Sequence, residues 1–308
     1  MTKGDRYILM EIDKRDRYRG CLIGLAVGDA IGASVEFKHR GTFPEVTGMN
    51  GGGVYSLEPG EWTDDTSMAL CLATSLIESN GFDPKDQMNR YYLWWTEGYM
   101  SSNGKCFDIG NTIKHALSSY NYTKEPYSGL SDPNTAGNGS IMRLAPIPMY
   151  YAGSREEILK YSGLSSKTTH GAVEAIEACQ LMGVLIDKAL IATNKADVLK
   201  STLYEFESTS IQEINNGCYL SKERDEISGS GYVVDCLEAA LWCFNVTNSY
   251  KDAVLKAVNL GDDTDTTAAV CGQIAGAFYG LDNIPDIWKD TIVQRNEIYS
   301  ISDRLIQN

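Results

Sequence analysis

The chain has 308 residues, of which 43% are hydrophobic, and a formal net charge of −14 at pH 7. This length is enough to bury a large core, and no linker or low-complexity segment divides it. We therefore predict one domain over residues 1–308 with its core at about 15–295. The acidic charge argues against a protein that binds nucleic acid, because contacts to a phosphate backbone need clustered Lys and Arg. If the ligand carries phosphates, backbone dipoles or metal ions must receive them.

The cysteines and the N-terminal segment indicate the cellular compartment. Eight cysteines are scattered without a CxxC pair, and several stand in apolar helical patterns, which is typical of reduced, buried thiols. Residues 1–20 are charged throughout and lack the apolar stretch of a signal peptide. No apolar run approaches the ~20 residues of a membrane-spanning helix. We expect a cytoplasmic protein that does not insert into membranes and, because no oligomerisation signal is evident, a monomer.

Apolar residues recur at three- and four-residue spacing along most of the chain. This periodicity predicts an all-α fold of ten or so helices in one compact domain. The segments with this spacing are 19–37, 66–79, 110–120, 154–164, 170–190, 233–244, 249–260 and 266–281. The stretch SREE, from Ser154 to Glu157, also has the pattern of a capping box at a helix start.

Four glycines in the first of these segments form a stripe. Gly20, Gly24, Gly28 and Gly32 lie four residues apart and therefore on one helix face. Because glycine weakens an isolated helix, the stripe predicts close backbone packing against a neighbouring helix.

Two acidic segments stand at the starts of predicted helices, TDDT at residues 63–66 and GDDTDTT at residues 261–267. One Asp or Thr is enough to cap a helix, and adjacent carboxylates repel each other unless a counter-ion neutralises them. Carboxylate and hydroxyl oxygens suit hard cations such as Mg²⁺, Mn²⁺ or Ca²⁺. If the two helix starts face each other, they form a binuclear metal site. The candidate ligands are Thr63, Asp64, Asp65, Asp263, Asp265 and Thr266.

Other interpretations of the second segment differ in how well they fit. An EF-hand loop starting at Asp263 requires Gly and Glu where Ala268 and Ile274 stand, so that pattern fails. Residues 263–267 do match DxDxT, the nucleophile motif of haloacid-dehalogenase-like phosphatases. That motif follows an apolar strand near the start of an α/β domain, whereas this one follows a helical segment. A phosphatase and simple helix capping remain as alternatives.

Several blocks in a fixed order resemble the ADP-ribosylglycohydrolase family over about residues 15–290. These blocks are residues 19–37, 60–70, 106–112, 137–148, 168–170 and 261–280. CFDIGNT at residues 106–112 most resembles the arginine-specific branch, typified by dinitrogenase reductase-activating glycohydrolase. The resemblance implies an all-α fold with two divalent cations, Mg²⁺ or Mn²⁺. It assigns the six candidate ligands named above to the metals.

The same resemblance implies roles for two further carboxylates. Glu36 matches a glutamate that reaches the metal centre or the substrate. Asp108 matches the aspartate that orients the ribosyl-arginine, and a carboxylate suits a planar guanidinium. Asp108 is equally a candidate N-cap of the following helix. With Asp65, these residues are the predicted catalytic group.

A glycine-rich stretch, AGNGSIMR at residues 136–143, is the candidate phosphate-binding loop. Glycines let backbone N–H groups approach a phosphate closely. This loop therefore offers a way to bind phosphate in a protein whose net charge is negative. In the family this block contacts the diphosphate and ribose, a histidine lies near the ADP-ribose, and a tyrosine stacks on adenine. The predicted substrate-binding residues are Gly137, Asn138, Gly139, Ser140, Met142, Arg143, His170 and Tyr232.

The predicted function is metal-dependent hydrolysis of the N-glycosidic bond between ADP-ribose and a protein arginine. The predicted partners are therefore ADP-ribose and arginine-linked ADP-ribosylated proteins. One alternative is hydrolysis of ADP-ribosyl-serine or O-acetyl-ADP-ribose by the same fold. Another is a non-catalytic protein that binds ADP-ribosylated or toxin partners.

Overall fold

α-Helices provide nearly all of the regular structure in the computed structural model, which describes the backbone of residues 3–306 and the side chains of residues 14–306. The α-helices in this part of the chain are Lys3–Gly32 (α1), Asp64–Glu78 (α2), Pro84–Glu97 (α3), Asn111–Thr123 (α4), Pro146–Tyr150 (α5), Arg155–Lys167 (α6), Val173–Ala189 (α7), Lys195–Leu199 (α8), Thr209–Asn215 (α9), Val233–Val246 (α10), Tyr250–Val258 (α11), Thr264–Tyr279 (α12), Asp286–Thr291 (α13) and Arg295–Ile306 (α14). Short 3₁₀ helices are Pro133–Thr135, Cys218–Ser221, Arg224–Glu226 and Leu281–Asn283. Among the described residues β pairing is limited to isolated bridges, which confirms the all-α fold class.

Each segment with helical spacing forms a helix, but the sequence contains more helices than its periodicity predicted. Four of the additional helices, α5, α8, α9 and α13, have only five to seven residues, too few for a repeating pattern. The longer α3 begins with a recognisable signal that the periodicity overlooked. Its N-cap Asp83 accepts hydrogen bonds from two backbone N–H groups, and Pro84 occupies the first helical position.

The predicted capping box at Ser154 is wrong in its side-chain detail. Ser154 is the N-cap residue of α6, as expected, but its side chain makes no capping hydrogen bond. Its backbone, with φ −103° and ψ 84°, lies outside the extended conformation that directs a serine hydroxyl toward the first turn.

Helix α1 runs through the centre of the molecule, with residues 20–33 buried on every side. Its glycine stripe packs antiparallel against α12, as the stripe predicted. A Cβ added at Gly24 would lie 2.4 Å from the carbonyl oxygen of Gly272, and one at Gly272 would lie 2.1 Å from that of Gly24. At Gly20 the added atom would lie 2.4 Å from the oxygen of Gly276. The two helix backbones are therefore in direct contact.

The stripe also brings the start of α12 against the end of α1. A Cβ at Gly32 would lie 2.4 Å from the Cα atom of Asp265, so only glycine permits this approach. The hydroxyl of Thr264 donates to the carbonyl of Gly32 at 2.8 Å, which fixes the register of the two helices. This packing positions the second acidic segment.

The remaining helices pack around this pair and enclose one continuous hydrophobic core that includes residues of α1, α2, α7, α10 and α12. All eight cysteines are free thiols, and six of them are buried. Between residues 3 and 306, no helix combines the length and apolarity needed to cross a lipid bilayer.

Replacing Gly272 with Ala is expected to destabilise the protein by about 1–3 kcal/mol, because the added methyl group overlaps the backbone of α1. Urea unfolding followed by circular dichroism measures the change. Gly48→Ala is the control, because a Cβ there meets nothing closer than 3.7 Å. Equal stability of the two variants would contradict the close α1–α12 packing.

Candidate metal centre and active site

The starts of α2 and α12 bring the two acidic segments together, although they lie about two hundred residues apart in the chain. The hydroxyl of Thr266 lies 3.3 Å from Oδ2 of Asp65. From the other segment, the hydroxyl of Thr63 lies 3.4 Å from Oδ2 of Asp265. The carboxylates also lie at the positive ends of two helix dipoles, which favours negative charge.

Helix capping does not account for these side chains. Thr63 and Asp263 are the N-cap residues of α2 and α12, yet neither side chain makes a capping hydrogen bond. Asp108 does not cap α4, because Gly110 holds that position. The DxDxT alternative also lacks its context, since the segment before residue 263 in the described chain is the helix α11 and a turn, not a strand.

Asp29 of α1 supports the first acidic segment and was missed in the sequence. Its Oδ1 accepts hydrogen bonds from the backbone N–H and the hydroxyl of Thr63, both at 2.9 Å. Its Oδ2 accepts from the backbone N–H of Thr66 at 3.0 Å and from the hydroxyl of Thr66 at 2.5 Å. The available signal was a lone carboxylate inside an apolar helical segment. Asp29 fixes the first turn of α2 and hence Asp64 and Asp65.

A second group of carboxylates completes the cluster. Glu36, Asp108 and Asp265 place carboxylate oxygens within 4.8 Å of one another. Glu36 lies in the turn after α1 and is almost fully buried. Asp108 has a positive φ of 60°, and its Oδ1 accepts a hydrogen bond of 2.6 Å from the hydroxyl of Tyr55, another residue not predicted from the sequence.

Burial and mutual repulsion raise the pKa of these acids. Burial, reinforced by Asp108 and the other carboxylates, raises the pKa of Glu36 to about 9. Burial raises the pKa of Asp108 to about 7 despite the hydrogen bond from Tyr55. The pKa values of Asp65 and Asp265 lie well above the ordinary range for the same two reasons. Such a cluster is stable in its ionised form only when a cation compensates it.

The donor set fits a hard divalent cation. Three buried carboxylate oxygens, Oδ1 of Asp65, Oδ1 of Asp265 and Oε2 of Glu36, have no hydrogen-bond partner in the described structure. Unpartnered buried oxygens are costly unless a cation is their partner. The ligand atoms are all oxygens, as Mg²⁺ and Mn²⁺ prefer.

A cavity of about 190 Å³ opens onto this cluster. Asp64, Asp108, Asp263 and Asp265 line one side of it, and residues of the predicted phosphate-binding loop line another. Asn138 of that loop donates from Nδ2 to Oδ2 of Asp263 at 2.9 Å. The loop and the carboxylate cluster therefore form one continuous site.

The predicted loop residues divide into two groups. Gly137, Asn138, Gly139 and Met142 line the cavity, as does His170. In contrast, Ser140 and Arg143 are buried behind the loop and do not line it. The hydroxyl of Ser140 accepts a hydrogen bond of 2.9 Å from Ser166. The Arg143 guanidinium is fully enclosed and does not line the cavity, although Arg143 was among the predicted substrate-binding residues.

Gln273 of α12 forms hydrogen bonds with the backbone at the end of the glycine-rich loop and was not predicted from the sequence. Its side-chain amide donates to the carbonyl of Met142 at 2.7 Å, and its oxygen accepts from the backbone N–H of Ala145 at 2.9 Å. A polar residue in the middle of an apolar helix was the available signal.

Tyr232 lines an adjoining cleft of about 490 Å³ that shares Gly137 with the cavity. Its hydroxyl donates to Glu174 at 2.6 Å, and its ring is partly exposed. A backbone hydrogen bond of 3.1 Å from Asn138 to Gly231 joins this cleft to the glycine-rich loop.

Asp262 does not belong to the carboxylate cluster. Its side chain is partly exposed and contacts Nδ1 of His39 at 2.7 Å. Its backbone, with a φ of 65°, exchanges hydrogen bonds with Phe37 and Lys38. Asp262 therefore holds the segment that follows Glu36.

Comparisons with known proteins identify the family of this chain. A family model described as ADP-ribosylglycohydrolase matches residues 10–308. The ADP-ribosylarginine hydrolase Tri1 of Serratia proteamaculans (strain 568) is 42% identical over 298 residues, which cover 97% of this chain and 81% of that protein. The ADP-ribosyl-(dinitrogen reductase) glycohydrolase of Rhodospirillum rubrum, of the branch predicted from the sequence, is 31% identical over 280 residues, 89% of each chain.

A solved structure of an ADP-ribosylglycohydrolase-related protein complex superposes with a TM-score of 0.84 and 40% identity. The match covers 96% of this chain and 98% of that one. The chain therefore belongs to the ADP-ribosylglycohydrolase family.

Proposed function

We propose that this protein hydrolyses the N-glycosidic bond between ADP-ribose and the side chain of a protein arginine. The observation that carries the proposal is the position of Asp108, whose carboxylate belongs to the buried acidic cluster and lines the cavity that opens onto it. A guanidinium held there would have its linked ribose next to the cluster. The names of the similar Serratia and Rhodospirillum proteins support an ADP-ribosyl substrate.

We further propose that two divalent cations, Mg²⁺ or Mn²⁺, occupy the cluster. The formal charge of its four helix-start aspartates supports this number. When bound, the cations would supply Lewis-acid polarisation of ribose and water oxygens. The residues that would hold them are Thr63, Asp64, Asp65, Asp263, Asp265 and Thr266.

The rest of the ADP-ribose would follow the cavity toward the adjoining cleft. Backbone N–H groups of Gly137 and Gly139 and the side chain of Asn138 would bind the diphosphate and ribose. The exposed ring of Tyr232 would stack on adenine. The continuity of the loop with both the cavity and the cleft supports this path.

In the reaction, the oxygen of a water attacks the anomeric carbon of the ribose, and the bond to the arginine nitrogen breaks. Asp108 would hold the guanidinium through paired hydrogen bonds. Glu36 or Asp65 would take the proton from water and transfer it to the departing arginine nitrogen. Both carboxylates are buried and have an unpartnered oxygen in the described structure, which supports either role.

We also propose that residues 15–295 form one domain, that the chain is a monomer without affinity for nucleic acid, and that it works in the cytoplasm. The hydrophobic core that runs from α1 to α14 supports the single domain. The eight free thiols support a reducing compartment.

Incubation with an arginine-ADP-ribosylated protein is expected to release free ADP-ribose, and EDTA is expected to abolish the release. Asp263→Ala removes one carboxylate of the cluster and should likewise abolish activity. Chromatography of the released nucleotide measures both. Activity in EDTA, or in the metal-free Asp263→Ala variant, would contradict the proposal.

Assays on arginine-linked and serine-linked substrates side by side test the role of Asp108. Asp108→Asn is expected to lower kcat/KM on the arginine-linked substrate by about 10²-fold or more, because it removes the charged partner of a desolvated guanidinium. Preference of the wild-type protein for the serine linkage would contradict this assignment.

Mg²⁺ or Mn²⁺ is expected to raise the thermal unfolding midpoint of the metal-free protein by several degrees, because a ligand that binds only the native state stabilises it. Asp265→Asn should lose this gain, and its metal-free form should be at least as stable as the metal-free wild type. The reason is that burial and neighbouring carboxylates raise the pKa of Asp265, so its ionised form is unfavourable without a cation.

Asp262→Asn is the matched control for this measurement. It removes one carboxylate from the same segment, but from a partly exposed position outside the cluster. Its metal-dependent gain should equal that of the wild type. A wild-type protein whose midpoint does not respond to either cation would contradict the metal centre.

A further inference from the structure

Arg143 is a buried cation without a carboxylate partner among the described residues. Its side chain is 0% exposed. One guanidinium nitrogen donates to the carbonyl of Gly139 at 2.6 Å, and another donates to the hydroxyl of Thr169 at 2.7 Å. The guanidinium also stacks over the ring of Tyr91, 4.6 Å from its centroid. Burial of a charge without a counter-ion costs free energy, so we expect this guanidinium to have a function that outweighs the cost.

The hydroxyl of Thr169 contacts both Arg143 and the next residue in the chain, His170. Its oxygen lies 2.9 Å from Nδ1 of His170. Because the oxygen accepts from Arg143, the hydroxyl hydrogen is free to donate, and Nδ1 of His170 is the acceptor that the described structure offers it. A histidine nitrogen that accepts carries no hydrogen, so the neutral ring must carry its hydrogen on Nε2.

The opposite edge of the His170 ring faces the glycine-rich loop. A Cβ added at Gly139 would lie 2.8 Å from Cε1 of His170, and one at Gly137 would lie 3.5 Å from Nε2. Burial and the nearby Arg143 charge lower the pKa of His170 to about 3, in agreement with a neutral ring. The Nε2 edge therefore lies against Gly137 and Gly139, which line the cavity together with His170.

We propose that Arg143 and Thr169 are positioning residues that hold His170 as the neutral Nε2–H tautomer. The ring then presents a hydrogen-bond donor to the cavity, suited to an acceptor oxygen of a diphosphate or ribose. The identity of that ligand rests on the function proposed above, whereas the tautomer is a property of the free protein. Arg143 thus acts through Thr169 and His170 and through the carbonyl of Gly139, not by contact with the ligand.

Nitrogen-15 NMR of protein labelled on histidine tests the proposal directly. The chain has three histidines, at positions 39, 115 and 170, and His170→Gln identifies the third signal by its loss. At pH 7 we expect a protonated Nε2 and an unprotonated Nδ1 whose shift reports an accepted hydrogen bond. A protonated Nδ1, or a doubly protonated ring, would overturn the proposal.

Thr169→Val and Thr169→Ser separate positioning from simple packing. Val keeps the branched shape but loses the hydroxyl, so the Nδ1 signal should lose its hydrogen-bond shift and ADP-ribose binding should weaken about 5- to 10-fold. Ser retains the hydroxyl and should restore both. Unchanged shift and affinity in Thr169→Val would overturn the role of Thr169.

Failure of this tautomer proposal can be distinguished from failure of the proposed reaction. If the wild-type protein released no ADP-ribose from modified arginine, the tautomer of His170 and its response to Thr169→Val would still be measurable in the free protein.

Discussion

The backbones of α1 and α12 are in direct contact, and this contact positions both acidic segments. The glycines of α1 let α12 approach until Gly32 meets the Cα atom of Asp265. One helix carries Asp29, which fixes the start of α2, and the other carries Asp265. The stripe therefore sets the distance between two acidic segments that lie far apart in the sequence.

The cluster that results carries more negative charge than the surrounding protein compensates. Hydrogen bonds from hydroxyls and backbone N–H groups stabilise Asp29, yet burial still raises its pKa to about 6. Asp65 and Asp265 each retain an oxygen without a partner in the described structure. The protein thus stores electrostatic strain that a bound cation would relieve, and the cavity opens onto the same carboxylates.

The sequence predicted those features of the site that depend on residues close together in the chain. The acidic segments and the glycine stripe each depend on residues a few positions apart, so their spacing alone predicted their chemistry. In contrast, Asp29 accepts a hydrogen bond from Thr63, 34 residues away, and Tyr55 donates one to Asp108, 53 residues away. Arg143 was predicted to bind substrate because it belongs to the glycine-rich stretch, and sequence does not reveal that its side chain is buried behind the loop. These contacts arise only from tertiary packing.

Anomalous diffraction from crystals grown with Mn²⁺ tests whether the two acidic segments share a metal centre, since it locates the ions without reference to activity. We expect Mn²⁺ between the starts of α2 and α12, within coordination distance of carboxylates from both Asp64–Asp65 and Asp263–Asp265. Absence of Mn²⁺ at millimolar concentration, or ions bound by only one of the two segments, would contradict it.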